Sequence, residues 1–377
     1  MQKEKIIQEL EELKNDNRFR VIKTNDKSLY NFSSNDYLGL AHDKDLLQKF
    51  YQNYSFDNYK LSSSSSRLID GSYLTVMRLE KKVEEIYGKP CLVFNSGFDA
   101  NSSVIETFFD KKSLIITDRL NHASIYEGCI NSRAKILRYN HLDVSALEKL
   151  LKKYSKDYDD ILVVTETVYS MDGDCTEIKK ICDLKDEYKF NLMIDEAHSY
   201  GVYGYGIAYN EKLVDKIDFL VIPLGKAGAS VGAYVICDEV YKNYLINKSK
   251  KFIYSTALPP VNNLWNLFVL ENMINFKVKI EKFQELITFS LNTLKKLNLK
   301  TKSTSHIISI IIGDNLNTVN LSNNLKELGY LAYAIKEPTV PKDTARLRIS
   351  LTADMKKEDI EKFFKTLKAE MKKIGVI

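Results

Sequence analysis

The chain has 377 residues, of which 44% are hydrophobic and 28% charged, as expected for an ordinary globular protein with a large core. Its formal net charge of +5 is too small an imbalance to indicate binding to nucleic acid. The 5 cysteines are scattered without metal-ligand spacing, so we interpret them as reduced thiols of a cytoplasmic protein that holds no metal.

The first residues predict an amphipathic helix within an N-terminal arm that covers residues 1–45. Ile6, Ile7, Leu10 and Leu13 recur at helical spacing among charged residues, where a signal peptide would need an apolar stretch. No apolar run approaches the roughly 18 residues of a membrane-spanning helix, so we expect neither secretion nor membrane insertion. The apolar face is expected to pack on its own domain or on a second subunit.

Short apolar runs between Cys91 and Cys237 predict the strands of a buried sheet. They lie at residues 92–94, 114–116, 161–164, 192–194, 219–222 and 233–236, and amphipathic stretches such as 145–154 and 177–188 separate several of them. This alternation predicts an α/β fold, with a mostly parallel sheet covered by helices on both faces. We assign it to a large domain over residues 46–270.

The pattern changes after Pro259-Pro260. A long helical stretch at residues 262–297 precedes a predicted strand pair around 307–312 and 345–351, with helices at 318–328 and 357–374. We therefore predict a small α+β domain over residues 271–377. Arg346 and Arg348 alternate along the second strand, so both side chains are expected on one face.

Two motifs of the large domain suggest pyridoxal phosphate. Lys226 stands alone after the apolar run Val221–Leu224, and Asp195 ends an earlier apolar run and begins Asp195-Glu196-Ala197-His198. A Schiff-base lysine must lose its proton near neutral pH, which partial burial promotes, and a carboxylate must face the cofactor's ring nitrogen. Taken singly, the lysine fits a solvated strand end, and the acidic motif fits a metal-nucleotide site or a helix cap.

Together with further motifs, the chain closely resembles the α-oxoamine synthases, pyridoxal-phosphate enzymes of fold type I. The resemblance runs from Asn31 to Ile360. The motifs on which this resemblance rests are Phe32–Leu40, Asn121–Ser124, Tyr169–Asp174, Asp195–His198, Gly225-Lys226, Tyr254–Pro260 and Thr339–Thr352.

The resemblance implies a role for each residue around the cofactor ring. Lys226 would hold the cofactor and later move the proton at the substrate α-carbon. Asp195 would pair with the pyridinium nitrogen, and His198 would hydrogen-bond the phenolic oxygen. His122 would stack on the ring, although a lone histidine near a sheet edge can equally be structural.

The same resemblance implies how the phosphate is bound. Backbone N–H groups of Ser96, Gly97 and Phe98 at a helix start would bind it, helped by the helix dipole. Ser170 would lie close to the cofactor. Thr256 would reach the phosphate from a second subunit, in a homodimer with shared active sites.

For the substrates, the resemblance implies an amino acid and an acyl thioester that condense with loss of carbon dioxide. Arg348 matches the arginine that grips the amino acid carboxylate, a bidentate task that suits a guanidinium group. Asn35, His122, Thr339 and Arg18 match other substrate-contacting positions.

The chain departs from the family pattern at three places. Serines occupy Ser62–Ser66, where glycines are usual, Pro223 replaces a threonine of the phosphate site, and Val76 replaces a histidine. We expect weaker cofactor binding or compensation by Thr256 from the second subunit. Two alternatives stay open, a non-catalytic partner subunit and an aminotransferase on the same fold.

Overall fold

The computed structural model describes residues 2–22, 24, 26, 28–54 and 59–377. Its strands are Tyr30–Asn31 (β1), Cys91–Phe94 (β2), Leu114–Asp118 (β3), Lys135–Tyr139 (β4), Ile161–Glu166 (β5), Asn191–Asp195 (β6), Phe219–Pro223 (β7), Ala233–Cys237 (β8), Ile307–Gly313 (β9), Tyr330–Leu331 (β10), Tyr333–Ile335 (β11) and Ala345–Ser350 (β12). Its α-helices are Gln2–Asn15 (α1), Lys44–Asn53 (α2), Leu74–Tyr87 (α3), Gly97–Phe108 (α4), Ala123–Ser132 (α5), Val144–Tyr154 (α6), Ile178–Asp183 (α7), Ile207–Asn210 (α8), Glu239–Lys248 (α9), Lys250–Ile253 (α10), Pro260–Asn272 (α11), Lys277–Lys296 (α12), Asn315–Glu327 (α13) and Lys357–Lys373 (α14).

The chain forms two compact units. The larger comprises Asp36–Tyr169 and Cys175–Glu281, and the smaller comprises Met1–Asn35, Ser170–Asp174 and Lys282–Ile377. The predicted boundaries lie at residues 45 and 270. In the structure the smaller unit instead combines residues 1–35 and 282–377 with a five-residue segment from the middle of the chain.

The larger unit is built on a seven-stranded sheet in the order β2-β8-β7-β6-β5-β3-β4. Every strand runs parallel to the others except β8, which is antiparallel to both of its neighbours. The predicted mostly parallel α/β fold is therefore confirmed. The strands β2, β3, β5 and β8 are buried along their whole length, and β6 is buried except at Asn191, which explains why their sequences contain continuous apolar runs.

The smaller unit contains the antiparallel sheet β11-β12-β9 and the parallel pair β1-β10. Residues 1–35 of the predicted N-terminal arm belong here, because Tyr30 pairs with Tyr330, and Phe32 stacks on Phe363 with ring centroids 3.9 Å apart. The predicted strand pair 307–312 and 345–351 corresponds to β9 and β12, which are direct neighbours.

Two predicted helices differ in detail. The long stretch 262–297 is divided into α11 and α12 by a 3₁₀ turn at Met273–Phe276. Helix α1 forms as predicted, but Ile6, Ile7 and Leu10 are 41–48% exposed and none of its described residues is buried. Packing of its apolar face on a second subunit stays a prediction.

Across the part of the chain that the structure describes, no helix combines the length and apolarity needed to cross a bilayer.

Candidate active site

The carboxyl ends of the parallel strands converge on one cavity of about 220 Å³ in the larger unit. This is where ligands gather in open α/β sheets, because helix starts and strand ends meet there. The predicted residues that line it are Ser96, Gly97, Phe98, His122, Asp195, His198 and Lys226.

Asp195 ends β6 and is 3% exposed, so its charge has little access to water. Asn101 of α4 donates to its Oδ2 at 2.6 Å, and the backbone N–H of Ala197 donates to its Oδ1 at 2.7 Å. Asn101 also donates to Ser124 Oγ at 3.0 Å, which fixes its own orientation. These two donors hold the Asp195 side chain at the cavity wall, where a cationic ligand group can pair with it.

His198 is positioned by Tyr37, which lies within the predicted N-terminal arm but belongs to the larger unit. The Tyr37 hydroxyl lies 2.7 Å from His198 Nδ1, and both side chains are buried. One ring nitrogen of His198 is thus held by the protein interior, and the ring plane is fixed at the cavity wall.

His122 caps the start of α5, and its Nδ1 accepts a hydrogen bond from the backbone N–H of Ser124 at 3.2 Å. Burial lowers the pKa of His122, the nearby Lys226 lowers it further, and Asp195 opposes the change. The imidazole is therefore neutral near pH 7, because its ordinary pKa of about 6.5 is already below that pH. A neutral, planar ring at a cavity wall is suited to stacking on an aromatic ligand.

Glu166 is a site residue that the sequence analysis missed. It ends β5 next to Asp195 in the sheet register, and its Oε1 accepts the backbone N–H of His122 at 2.6 Å. Burial raises the pKa of Glu166 well above its usual value, and the neighbouring Asp195 raises it further. The burial of Glu166 next to Asp195 therefore disfavours its ionised form. A charged residue ending an apolar strand was the signal that could have identified it.

Helix α4 presents its N-terminus to the same cavity. Ser96 is its N-cap and accepts the backbone N–H of Asp99 on Oγ at 3.0 Å. A Cβ on Gly97 would lie 2.7 Å from the Pro223 ring, so glycine permits the helix start to approach the end of β7. Pro223 thus packs against the helix terminus, where its missing N–H removes one donor.

Lys226 lies in the short connection between β7 and β8 and is half-buried at the cavity. The connection is closed by hydrogen bonds from Leu224 N to Gly232 O at 2.9 Å and from Ser230 N to Leu224 O at 3.2 Å. A third bond from Ala229 N to Lys226 O at 2.9 Å fixes the lysine backbone itself.

The serine run supports the segment that carries Thr256. Ser63 Oγ donates to Ala257 O at 2.6 Å, and Ala257 N donates to Ser65 O at 2.9 Å. Ser64 has a φ of 55°, a left-handed conformation that glycine adopts more readily. Thr256 is exposed, and it is not among the described residues that line the cavity around Lys226. Val76 is buried in α3 and also lies outside that lining.

The other predicted residues belong to the smaller unit, namely Arg18, Asn35, Ser170, Thr339 and Arg348. Arg348 Nε donates to the carbonyl of Ser170 at 2.5 Å. Arg18 and Thr339 line a second cavity of about 610 Å³, in which Arg20 donates to Thr339 Oγ1 at 3.0 Å.

Comparisons with known proteins agree with this geometry. The family model described as aminotransferase class I and II matches residues 27–367. A curated protein of Pasteurella multocida (strain Pm70), named "Putative 8-amino-7-oxononanoate synthase", is 39% identical over 376 residues, covering 96% of this chain and 97% of that protein.

Solved structures are similar over nearly the whole chain. A structure of SPT with pyridoxal phosphate as its internal aldimine has a TM-score of 0.88 at 25% identity and covers 99% of this chain and 98% of its own. The 8-amino-7-oxononanoate synthase of Francisella tularensis has a TM-score of 0.76 at 28% identity and covers 92% of this chain and 99% of its own. This chain therefore belongs to the aminotransferase class I and II family and, within it, to the pyridoxal-phosphate-dependent α-oxoamine synthases.

The cavity fits that cofactor. It combines a lysine amine, a buried carboxylate, a neutral imidazole and a helix N-terminus around one space. The buried Oδ1 of Asn101, whose amide nitrogen donates to Asp195, accepts no hydrogen bond from the described residues and so leaves an orphaned acceptor beside this site.

Proposed function

We propose that this protein condenses L-alanine with a pimeloyl thioester, giving 8-amino-7-oxononanoate, carbon dioxide and a free thiol in biotin biosynthesis. The acyl carrier is CoA or an acyl carrier protein. The convergence of Lys226, Asp195, His198 and His122 on one cavity carries the catalytic part of this proposal. The substrate assignment is supported by the relatives of that name and by Pro338-Thr339-Val340-Pro341 and Tyr254–Pro260.

In this proposal each residue has a distinct task. Bound pyridoxal phosphate withdraws electrons from the substrate α-carbon. Lys226 would attach the cofactor, and its amine would move the proton at that carbon. Asp195 keeps the ring nitrogen protonated, His198 donates to the phenolic oxygen, and His122 covers one face and excludes water from it.

The site is proposed to work in a cytoplasmic homodimer. Ser96, Gly97 and Phe98 bind the phosphate of one site, and Thr256 of the second subunit adds a donor to it. This offsets the donor that Pro223 lacks. In the same proposal Ser170 lies near the cofactor, and Arg18, Asn35, His122, Thr339 and Arg348 contact the substrates.

A substrate matrix tests the assignment. Alanine, glycine and serine are each combined with pimeloyl-, acetyl-, succinyl- and palmitoyl-CoA and with pimeloyl acyl carrier protein, and thiol release is measured. We expect the highest kcat/KM for alanine with a pimeloyl thioester. Glycine with acetyl-CoA as the best pair would instead assign a glycine C-acetyltransferase, and another pair a further α-oxoamine synthase. Cofactor loading without thiol release from any pair would indicate a non-catalytic partner subunit.

Arg348→Lys is expected to raise the KM for the amino acid by about 10-fold or more, with a much smaller change for the acyl thioester. Lysine keeps the positive charge but cannot form two parallel hydrogen bonds to a carboxylate. Steady-state kinetics with each substrate varied in turn measures the two KM values. An equal increase in both would assign Arg348 a structural role.

Thr256→Ala is expected to weaken cofactor retention while leaving the unfolding temperature nearly unchanged, because the side chain is exposed. Dialysis followed by absorbance of the bound cofactor measures retention, and Ser255→Ala serves as the neighbouring control. Mixed with Lys226→Ala, the variant should form hybrid dimers in which one shared site carries both defects and the other neither. Unaltered cofactor affinity, or a fully active monomer, would contradict a shared site.

A further inference from the structure

The segment Ser170–Asp174 is bonded to the smaller unit, although residues of the larger unit flank it in the chain. The Gly173 carbonyl accepts the backbone N–H of Thr304 at 2.9 Å and that of Ser305 at 3.0 Å. Ser305 Oγ donates to the same oxygen at 2.8 Å, and Ser303 Oγ donates to the carbonyl of Asp172. These bonds hold the segment against the residues that precede β9.

Gly173 allows this close approach. Its φ is +70°, and a Cβ there would lie 1.8 Å from the carbonyl oxygen of Ile307. Any side chain at this position would push the segment away from β9, so the contact depends on glycine.

An ion pair fixes the segment from the other side. Arg346 is 4% exposed, and its Nη1 donates to Asp172 Oδ1 at 2.6 Å. The same guanidinium lies 3.4 Å from the carbonyl of Met171, while Nε donates to the carbonyl of Thr344 at 3.0 Å. A charge so buried requires its counter-ion, so Asp172 is held in one place.

Arg348 contacts the same segment two residues further along β12, on the same face as Arg346. Its Nε donates to the carbonyl of Ser170 at 2.5 Å, and its Nη1 donates to Ser350 Oγ at 2.7 Å. The plane of this guanidinium is therefore set by Ser350 on its own strand and by Ser170, whose position depends on Asp172.

We propose that Asp172 and Arg346 are positioning residues that set the orientation of the Arg348 guanidinium toward the substrate carboxylate. The inference rests on the proposed carboxylate-binding role of Arg348. The pair acts through the backbone of Ser170-Met171, which links the Asp172 carboxylate to the carbonyl that Arg348 contacts. Neither Asp172 nor Arg346 is required to touch the substrate.

The test is a double-mutant cycle on the full-length, cofactor-loaded protein with Asp172→Asn, Arg346→Gln and the double variant. Asp172→Asn preserves the shape and one acceptor oxygen, so folding is expected to persist. We expect each single change to weaken amino acid binding about 10-fold, since a small misplacement of a binding group has effects of this order or larger. The double variant should be little worse than either single one. The KM for the acyl thioester and cofactor affinity should change less than about twofold.

Amino acid binding is measured by equilibrium titration of the cofactor's absorbance, which requires no turnover. Glu370→Gln is the matched control because Glu370 is a buried carboxylate of the same unit, paired with Lys373 at 2.5 Å, and lies on α14. It should lower the unfolding temperature without changing amino acid binding. Arg346→Lys, which retains the charge, should restore part of the affinity lost in Arg346→Gln.

Lower unfolding temperatures with unchanged amino acid binding in both single variants would overturn the inference and leave the pair a structural one. Additive losses would also overturn it, because two residues that act as one unit cannot lose affinity independently. Failure of the proposed function has a different signature, in which Arg348→Lys itself leaves amino acid binding unchanged.

Discussion

Lys226→Ala is expected to abolish thiol release while the protein remains folded. Lys226 lines the cavity, and the proposal assigns to its amine both cofactor attachment and proton movement at the substrate α-carbon. Proton transfer by a positioned group is alone worth about 10²–10⁴ in rate, so the combined loss should exceed about 10⁴. Turnover with saturating cofactor measures the effect, and circular dichroism checks the fold.

Lys185→Ala provides the control for this experiment. Lys185 is another partly buried lysine of the larger unit, paired with Asp218 immediately before β7, at the end of the strand opposite the cavity. Its removal should lower stability and leave the kcat of the folded protein close to that of the wild type. Near wild-type turnover in Lys226→Ala would show that Lys226 has no role in the reaction.

Asp195→Asn is expected to lower kcat by about 10²–10³, corresponding to about 2.7–4 kcal/mol of lost electrostatic stabilisation. The substitution also disturbs the local hydrogen bonds, because Asp195 accepts from Asn101 on one oxygen and from Ala197 on the other. An asparagine can accept on only one side, so its amide group must face one of these donors. Cofactor should still bind, with altered absorbance.

Asp118→Asn is the matched control, since Asp118 is a buried carboxylate at the end of β3 that pairs with His141 at 3.0 Å and lies outside the cavity lining. It should affect stability more than kcat. Unchanged kinetics and an unchanged cofactor spectrum in Asp195→Asn would mean that another group faces the ring nitrogen.

The sequence predicts the strands of the larger sheet well where both faces are buried. The apolar runs at 92–94, 114–116, 161–164, 192–194, 219–222 and 233–236 all lie within observed strands. Strand β4 was missed because it is an edge strand with Lys135 and Arg138 exposed, so it lacks a continuous apolar run. The turn at Met273–Phe276 has neither glycine nor proline, and no local signal marks it.

Prediction of the site divides in a similar way. Residues at strand ends could be predicted because the carboxyl edge of a parallel sheet gathers them. Asn101 and Tyr37 could not, because one lies inside a helix and the other far away in the chain, and only folding brings them to Asp195 and His198. The individual roles came from the family resemblance and stay predictions until the variants are measured.

The reversed direction of β8 has a consequence for motion in the site. Since β7 and β8 are antiparallel neighbours, Lys226 lies in a short connection instead of a long crossover. The bond from Leu224 to Gly232 closes this connection, and the bonds from Ala229 and Ser230 link its middle to Lys226 and Leu224. The backbone at Lys226 is held by these bonds, so we expect the amine to move mainly through its side-chain torsions. An arm of four methylene groups on a held backbone explores a small volume, so the amine can leave and return without any rearrangement of the main chain.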